Sequence, residues 1–168
     1  MLSQAEVADV LNTIGFRQVG DSSWLGMGQE AGRVFPVFIH LKPVYIQAEV
    51  RLNLVSPCHI SALYERCNQI NSRIVLGKFG LGQKDKEGRR PLILWVDLPT
   101  GTPDQYAARE AVEALLGIGF GLIRQHFESL EKTIGMGCDT SRPAQSDRLG
   151  RSLLEQLRAL RGHNQMGG

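Results

Sequence analysis

Residues 44–55 alternate without a break. Val44, Ile46, Ala48, Val50, Leu52 and Leu54 occupy one parity, and Tyr45, Gln47, Glu49, Arg51 and Asn53 the other. Successive side chains of a strand point to opposite faces, so the pattern predicts one long strand with a buried face and a polar face. Such a strand needs neighbouring strands and a layer on its apolar side. Residues 33–41 (RVFPVFIHL) supply a neighbour, joined by the turn Lys42-Pro43. That run is apolar at both parities, as expected of a strand covered on both sides. Pro36 within it predicts an edge position or a bulge, because proline donates nothing to a ladder.

Helices flank these strands. Ser3 and Glu6 form a capping box ahead of Val7, Val10, Leu11 and Ile14, and Gly15 ends that helix, with Phe16 packing back on it. Ser56-Pro57 opens a second helix whose apolar stripe is Ile60, Leu63, Tyr64, Cys67, Ile70 and Ile74. Residues 75–81 and 91–98 then read as a hairpin around the polar loop 82–90. Thr102, Pro103 and Gln105 open a long helix running to about residue 133. Its stripe is Val112, Leu116, Phe120, Ile123, Phe127, Leu130 and Ile134, with Gly117, Gly119 and Gly121 in its middle. Those glycines predict close approach of another backbone, or a kink. Between the first helix and the paired strands, residues 21–32 are glycine-rich, with at most a short edge strand at residues 22–25.

The order α-β-β-β-α-β-β-α predicts an α+β domain over residues 1–134, an antiparallel sheet of about five strands with helices packed on it. Residues 135–147 read as a linker and residues 148–161 as a C-terminal amphipathic helix, with Leu149, Leu153, Leu157 and Leu160 on one face. Residues 162–168 read as a flexible end.

No chemistry-bearing constellation emerges. The histidines are His40, His59, His126 and His163; the cysteines are Cys58, Cys67 and Cys138. They lack metal-ligand or nucleophile–base spacing, so no catalytic residue, metal site or cofactor is expected. The glycines at 117–121 follow a helical pattern instead of a strand, which excludes a phosphate loop. Glu49, Asp97, Asp104 and Glu110 are scattered, without an acid–base pair. The loop bearing Lys84, Lys86, Arg89 and Arg90 is interrupted by Asp85 and Glu87 and reads as a solvated hairpin tip. An odd number of widely spaced cysteines, no apolar leader and no membrane-length apolar run point to the cytoplasm.

The succession Ile14-Gly15-Phe16, the paired runs 34–41 and 44–54, the helix 60–71 leading into 74–81, and 92–98 followed by Thr102-Pro103-Asp104 resembles the YbjN family and the wider group of folds like type III secretion chaperones. The resemblance covers residues 1–134 and rests on order and hydrophobic pattern. It implies a non-enzymatic, protein-binding domain, chaperone-like or an adaptor, and a homodimer. Its partner would be another protein or peptide segment. Secretion chaperones are generally acidic, whereas this chain has a net charge of +2 and an added helix. The sequence places candidate partner-binding surfaces at Trp24, at Trp95 and along Leu149, Leu153, Leu157 and Leu160. A ligand-binding or enzymatic domain with an unrecognised pocket is the alternative, and weak nucleic-acid association is a further one. Residues 1–134 hold 14 basic and 14 acidic residues, so the whole excess charge lies in the tail, where all five basic residues are arginine.

Overall fold

The computed structural model describes residues 2–30, 32–100 and 107–135. Helix α1 spans Gln4–Thr13, and Ser3 and Glu6 form the expected reciprocal capping box. Gly15 follows at φ 90°, the left-handed conformation that ends the helix at little cost to glycine. Strands β1 (Arg17–Gly20), β2 (Ser23–Glu30), β3 (Arg33–Leu41) and β4 (Tyr45–Val55) come next. A 3-10 turn, Pro57–His59, leads into α2 (Ile60–Asn71), and β5 (Gly77–Leu81), β6 (Arg90–Pro99) and α3 (Ala108–Gly135) complete the order. The strands form one antiparallel sheet in the order β1-β2-β3-β4-β6-β5. The α+β architecture is as expected, with six strands instead of about five.

The extra strand comes from the glycine-rich segment. Residues 23–30 form a full inner strand, and β1 is the edge. Gly26 and Gly28 share the core parity of Trp24, and rings cover both. A β-carbon at Gly26 would stand 2.7 Å from the Phe16 ring, and one at Gly28 would collide with the Phe120 ring. Glycine here is the residue that lets an aromatic ring lie flat on the backbone.

Strand β3 is not an edge. Its register with β4 ends at Val37↔Val50, while its register with β2 continues through Pro36 and beyond. Pro36 therefore sits one residue past the β4 ladder, where a missing N–H costs no sheet bond. The second face of β3 is not covered by another layer among the described residues. Val34 is exposed and Phe38 half-buried, so of the second face only Pro36 is buried, and the expectation of a strand covered on both sides holds fully for the Phe35, Val37 and Ile39 face alone. The alternation of β4 also breaks at its end. The β4–β6 register shifts between Arg51 and Asn53, and beyond that bulge Val55 is buried while Leu54 is not.

All three helices contribute to one core against the sheet, with α3 packed on β4 and β6 and flanked by α1 and α2. Helix α3 is continuous for 28 residues and starts at Ala108, later than expected; the Thr102–Gln105 box lies outside the described residues. Its buried positions are Ala108, Ala111, Val112, Leu115, Gly119, Ile123, Phe127 and Leu130. Ahead of Ile123 the stripe is therefore displaced by one residue, to Leu115 and Gly119 in place of Leu116 and Phe120. Phe120 turns aside to cover Gly28, and Gly119 faces Val96. Gly117 and Gly121 face open space and Gly119 meets only the Val96 side chain at 3.7 Å, so the expected close approach of another backbone occurs at none of the three, and the helix runs through them unbroken. Tyr64 of the expected α2 stripe is exposed, and Leu63, Cys67 and Ile70 are buried. No helix among the described residues is long and apolar enough to cross a membrane.

Candidate binding surface on the open sheet face

With every described helix on one side, the registers define what lies on the other. Ser23, His40, Gln47 and Asp97 form one row across the strands. Leu25, Phe38, Glu49, Trp95 and Lys78 form the next. Met27 and Pro36, then Arg51, Ile93 and Gly80, form a third.

The rows hold themselves in place. The Arg51 guanidinium lies 4.5 Å from the centre of the Phe38 ring, and its Nε donates to Glu49 Oε1 at 2.7 Å. His40 stacks parallel to Phe38, and its Nδ1 lies 2.9 Å from Ser23 Oγ. Gln47 Nε2 donates to Asp97 Oδ1 at 2.7 Å. Trp95 spreads over Gly80, where a β-carbon would stand 3.0 Å from its ring. Met27 and Val34 are exposed, and Ile93 is only 4% exposed although it lies on this face. The result is a flat, half-apolar surface that carries two acids, Glu49 and Asp97, and the bases Arg17, which pairs with Leu25, Arg51 and Lys78, with Lys42 close to His40.

Burial holds His40 below the ordinary histidine pKa, with Glu49 opposing and Lys42 and Arg51 adding to the effect. A neutral His40 beside Ser23 has the spacing of a base–nucleophile pair. Glu49, however, bonds Arg51 and not the imidazole, and the pair lies on an open strand face without a wall to exclude water. Acyl transfer needs donors aimed at an oxyanion. The backbone of Ser23 and His40 beside this pair takes part in the β2–β3 and β3–β4 ladders.

A groove of about 460 Å³ wraps the β5 margin, lined by Gln47, Tyr64, Asn68, Asn71, Lys78, Trp95 and Asp97 together with Cys67 and Phe79–Leu81. Burial pushes the Cys67 thiol up to about 11, so it stays protonated and unreactive. His126 also lies below its ordinary pKa, through burial and the nearby Arg66. No group of three potential metal ligands occurs among the described residues. At the hairpin tip, Asp85 accepts from the N–H groups of Glu87 and Arg89 and pairs with the Arg89 side chain. The basic loop is thus partly neutralised from within.

The structure separates the sequence-derived candidates. Trp95 is half-buried on the open face. Trp24 is 0% exposed: it lies on the core parity of an inner strand, under the helices, and this removes it from any docking surface. Leu149, Leu153, Leu157 and Leu160, the linker and the residue 134/135 boundary lie at or beyond the margin of the described residues. Sequence reasoning passed over Phe38 as part of a surface and considered His40 only as the companion of Glu49, Arg51 and Tyr45 in a cleft. Their signal was present: the second parity of residues 33–41 adjoins the polar parity of residues 44–55.

No protein-family profile matches the chain, and no curated protein matches it. Among solved structures, the chain resembles YbjN from E. coli, whose suggested role is transcription regulation, at 15% identity and a TM-score of 0.54 over 77% of this chain and 96% of that one. It also resembles a chain of the heterodimeric ExoU–SpcU complex of the type III secretion system of Pseudomonas aeruginosa, at 21% identity and a TM-score of 0.44 over 76% of this chain and 96% of that one. The likeness to YbjN establishes a shared fold.

Proposed function

We propose that this chain is a non-enzymatic, cytoplasmic protein-binding domain, an adaptor or chaperone-like protein, that pairs with a second copy through the open face of its sheet. One observation carries the reading. A six-stranded sheet has all its helices on one side, and the other side presents Leu25, Met27, Phe38 and Trp95 beneath no covering layer among the described residues. Apolar surface of this kind gains by leaving water. A second copy is the occupant that best suits its charges. Acids and bases side by side on one face allow a two-fold partner to set Glu49 and Asp97 against Arg51 and Lys78, or against Arg17. The leucine stripe of residues 148–161 is a separate association element in the same proposal.

Light scattering across a concentration series tests the pairing. The full chain is expected as a dimer, and Phe38→Glu and Trp95→Glu as monomers with unchanged circular dichroism. Trp24 is already shielded, so a blue shift of emission on association reports Trp95 alone. A chain that stays monomeric at high concentration, or face variants that dimerise as the parent does, would overturn the reading. Truncation after Gly135 separates the tail's contribution from that of the face.

A further inference from the structure

The sheet has two margins, and each is closed to further strands by a different device. Strand β1 is four residues long and its register shifts between Gln18 and Gly20, so it offers a poor template. Strand β5 is regular and five residues long, and among the described residues it has no strand neighbour on one side. There Asn71, the last residue of α2, turns its carboxamide onto the strand. Asn71 Nδ2 donates to the Phe79 carbonyl at 2.8 Å, and the Phe79 N–H donates to Asn71 Oδ1 at 2.8 Å. The amide side chain thereby makes both bonds that a residue of an added strand would make. Backbone alternation points Gly77, Phe79 and Leu81 outward along this margin, and Phe79 is the middle one of the three.

We infer that Asn71 is an edge guard that determines how this chain associates: it occupies the central outward backbone pair of β5 and so prevents the β5 margin of a second copy from adding to the sheet. Strand-to-strand pairing at this margin would extend the sheet across copies, in competition with any closed arrangement. With Asn71 in place an incoming strand must first break two hydrogen bonds and displace the end of α2. The inference goes beyond face-to-face pairing and stands without it.

The test uses the full chain carrying Asn71→Ala and, separately, Asn71→Gln. Glutamine keeps polarity and helix propensity but sets the amide one methylene too far along to match Phe79. In dilute solution the Phe79 amide is expected to exchange with deuterium about tenfold faster in both variants, the loss of one hydrogen bond. On concentration, both variants should form species larger than the parent's, with Phe79 protection returning as they form. If Asn71→Ala does not fold, Asn71→Gln decides. Folded variants with parental exchange at Phe79 overturn the inference. So do variants with faster exchange but parental mass at every concentration, because a residue that merely ties α2 to β5 would lower the melting temperature without creating new species. Failure of the face pairing reads out differently, in the Phe38 and Trp95 variants, whose β5 margin is unchanged.

Discussion

The three glycines of α3 and Gly26 of β2 allow the same substitution to be predicted with opposite signs. Gly117 and Gly121 are helical and exposed, and a β-carbon at either would meet nothing within 4 Å. Glycine in a helix interior costs about 1 kcal/mol against alanine, chiefly through backbone freedom in the unfolded chain. Gly117→Ala and Gly121→Ala should each stabilise the domain by about 0.8–1 kcal/mol, and together by about 1.5–2 kcal/mol. Gly119→Ala should behave similarly, because its methyl would lie 3.7 Å from Val96, an ordinary contact. Gly26→Ala should do the reverse. Three atoms of the Phe16 ring lie 2.7 Å from the added carbon, so the ring must shift bodily within the core. Overpacking of that kind costs about 1–3 kcal/mol. Urea unfolding followed by Trp24 emission measures both, as opposite shifts of the midpoint at constant slope. A destabilising Gly117→Ala or Gly121→Ala would refute the argument, since it would mean that the outward side of α3 carries a neighbour. A neutral Gly26→Ala would refute the account of why β2 is glycine-rich.

Two further outcomes follow from the titratable groups. Burial holds the pKa of both His40 and His126 below the ordinary histidine value of 6.5, so the unfolded chain takes up protons first as pH falls. Stability should therefore decline from about pH 7 downward until the folded-state pKa values are passed, and the double variant His40→Gln, His126→Gln should flatten that decline in urea titrations at pH 5 to 7. An unchanged slope would show that other groups control it. At pH 8, a thiol with a pKa of about 11 is thiolate only about one part in a thousand. Iodoacetamide should accordingly modify the exposed Cys58 in the native protein and Cys67 only in denaturant, as read by peptide mass spectrometry. Native labelling of Cys67 at the rate of Cys58 would contradict its burial.

Much of the fold was legible locally. The alternation of residues 44–55 specified β4, its buried parity and, through Gln47, Glu49 and Arg51, the middle of the candidate surface. The Ser3–Glu6 box and Gly15 specified α1, and the apolar runs around loop 82–90 specified the β5–β6 hairpin. Each is a short-range pattern, set by the period of a strand or by the unpaired N–H groups of a helix end. What the sequence left open depended on residues far apart in the chain. Gly26 and Gly28 read as loop until Phe16 and Phe120 lie over them, which makes them positions within an inner strand. Trp24 and Trp95 look alike in the sequence, but one parity of the sheet is under helices and the other is uncovered among the described residues, and only the direction in which α3 packs decides which is which. The one-residue displacement of the α3 stripe has the same origin: hydrophobicity alone favours Phe120 at the core position, whereas in the fold the small Gly119 faces Val96 and the Phe120 ring fills the space over Gly28. Asn71 reads as an unremarked polar residue at a helix end, and it becomes the guard of the sheet margin only where α2 returns alongside β5. Periodicity reports which side chains share a face. What covers that face, and which backbone groups are left to be capped, is settled by contacts between distant segments.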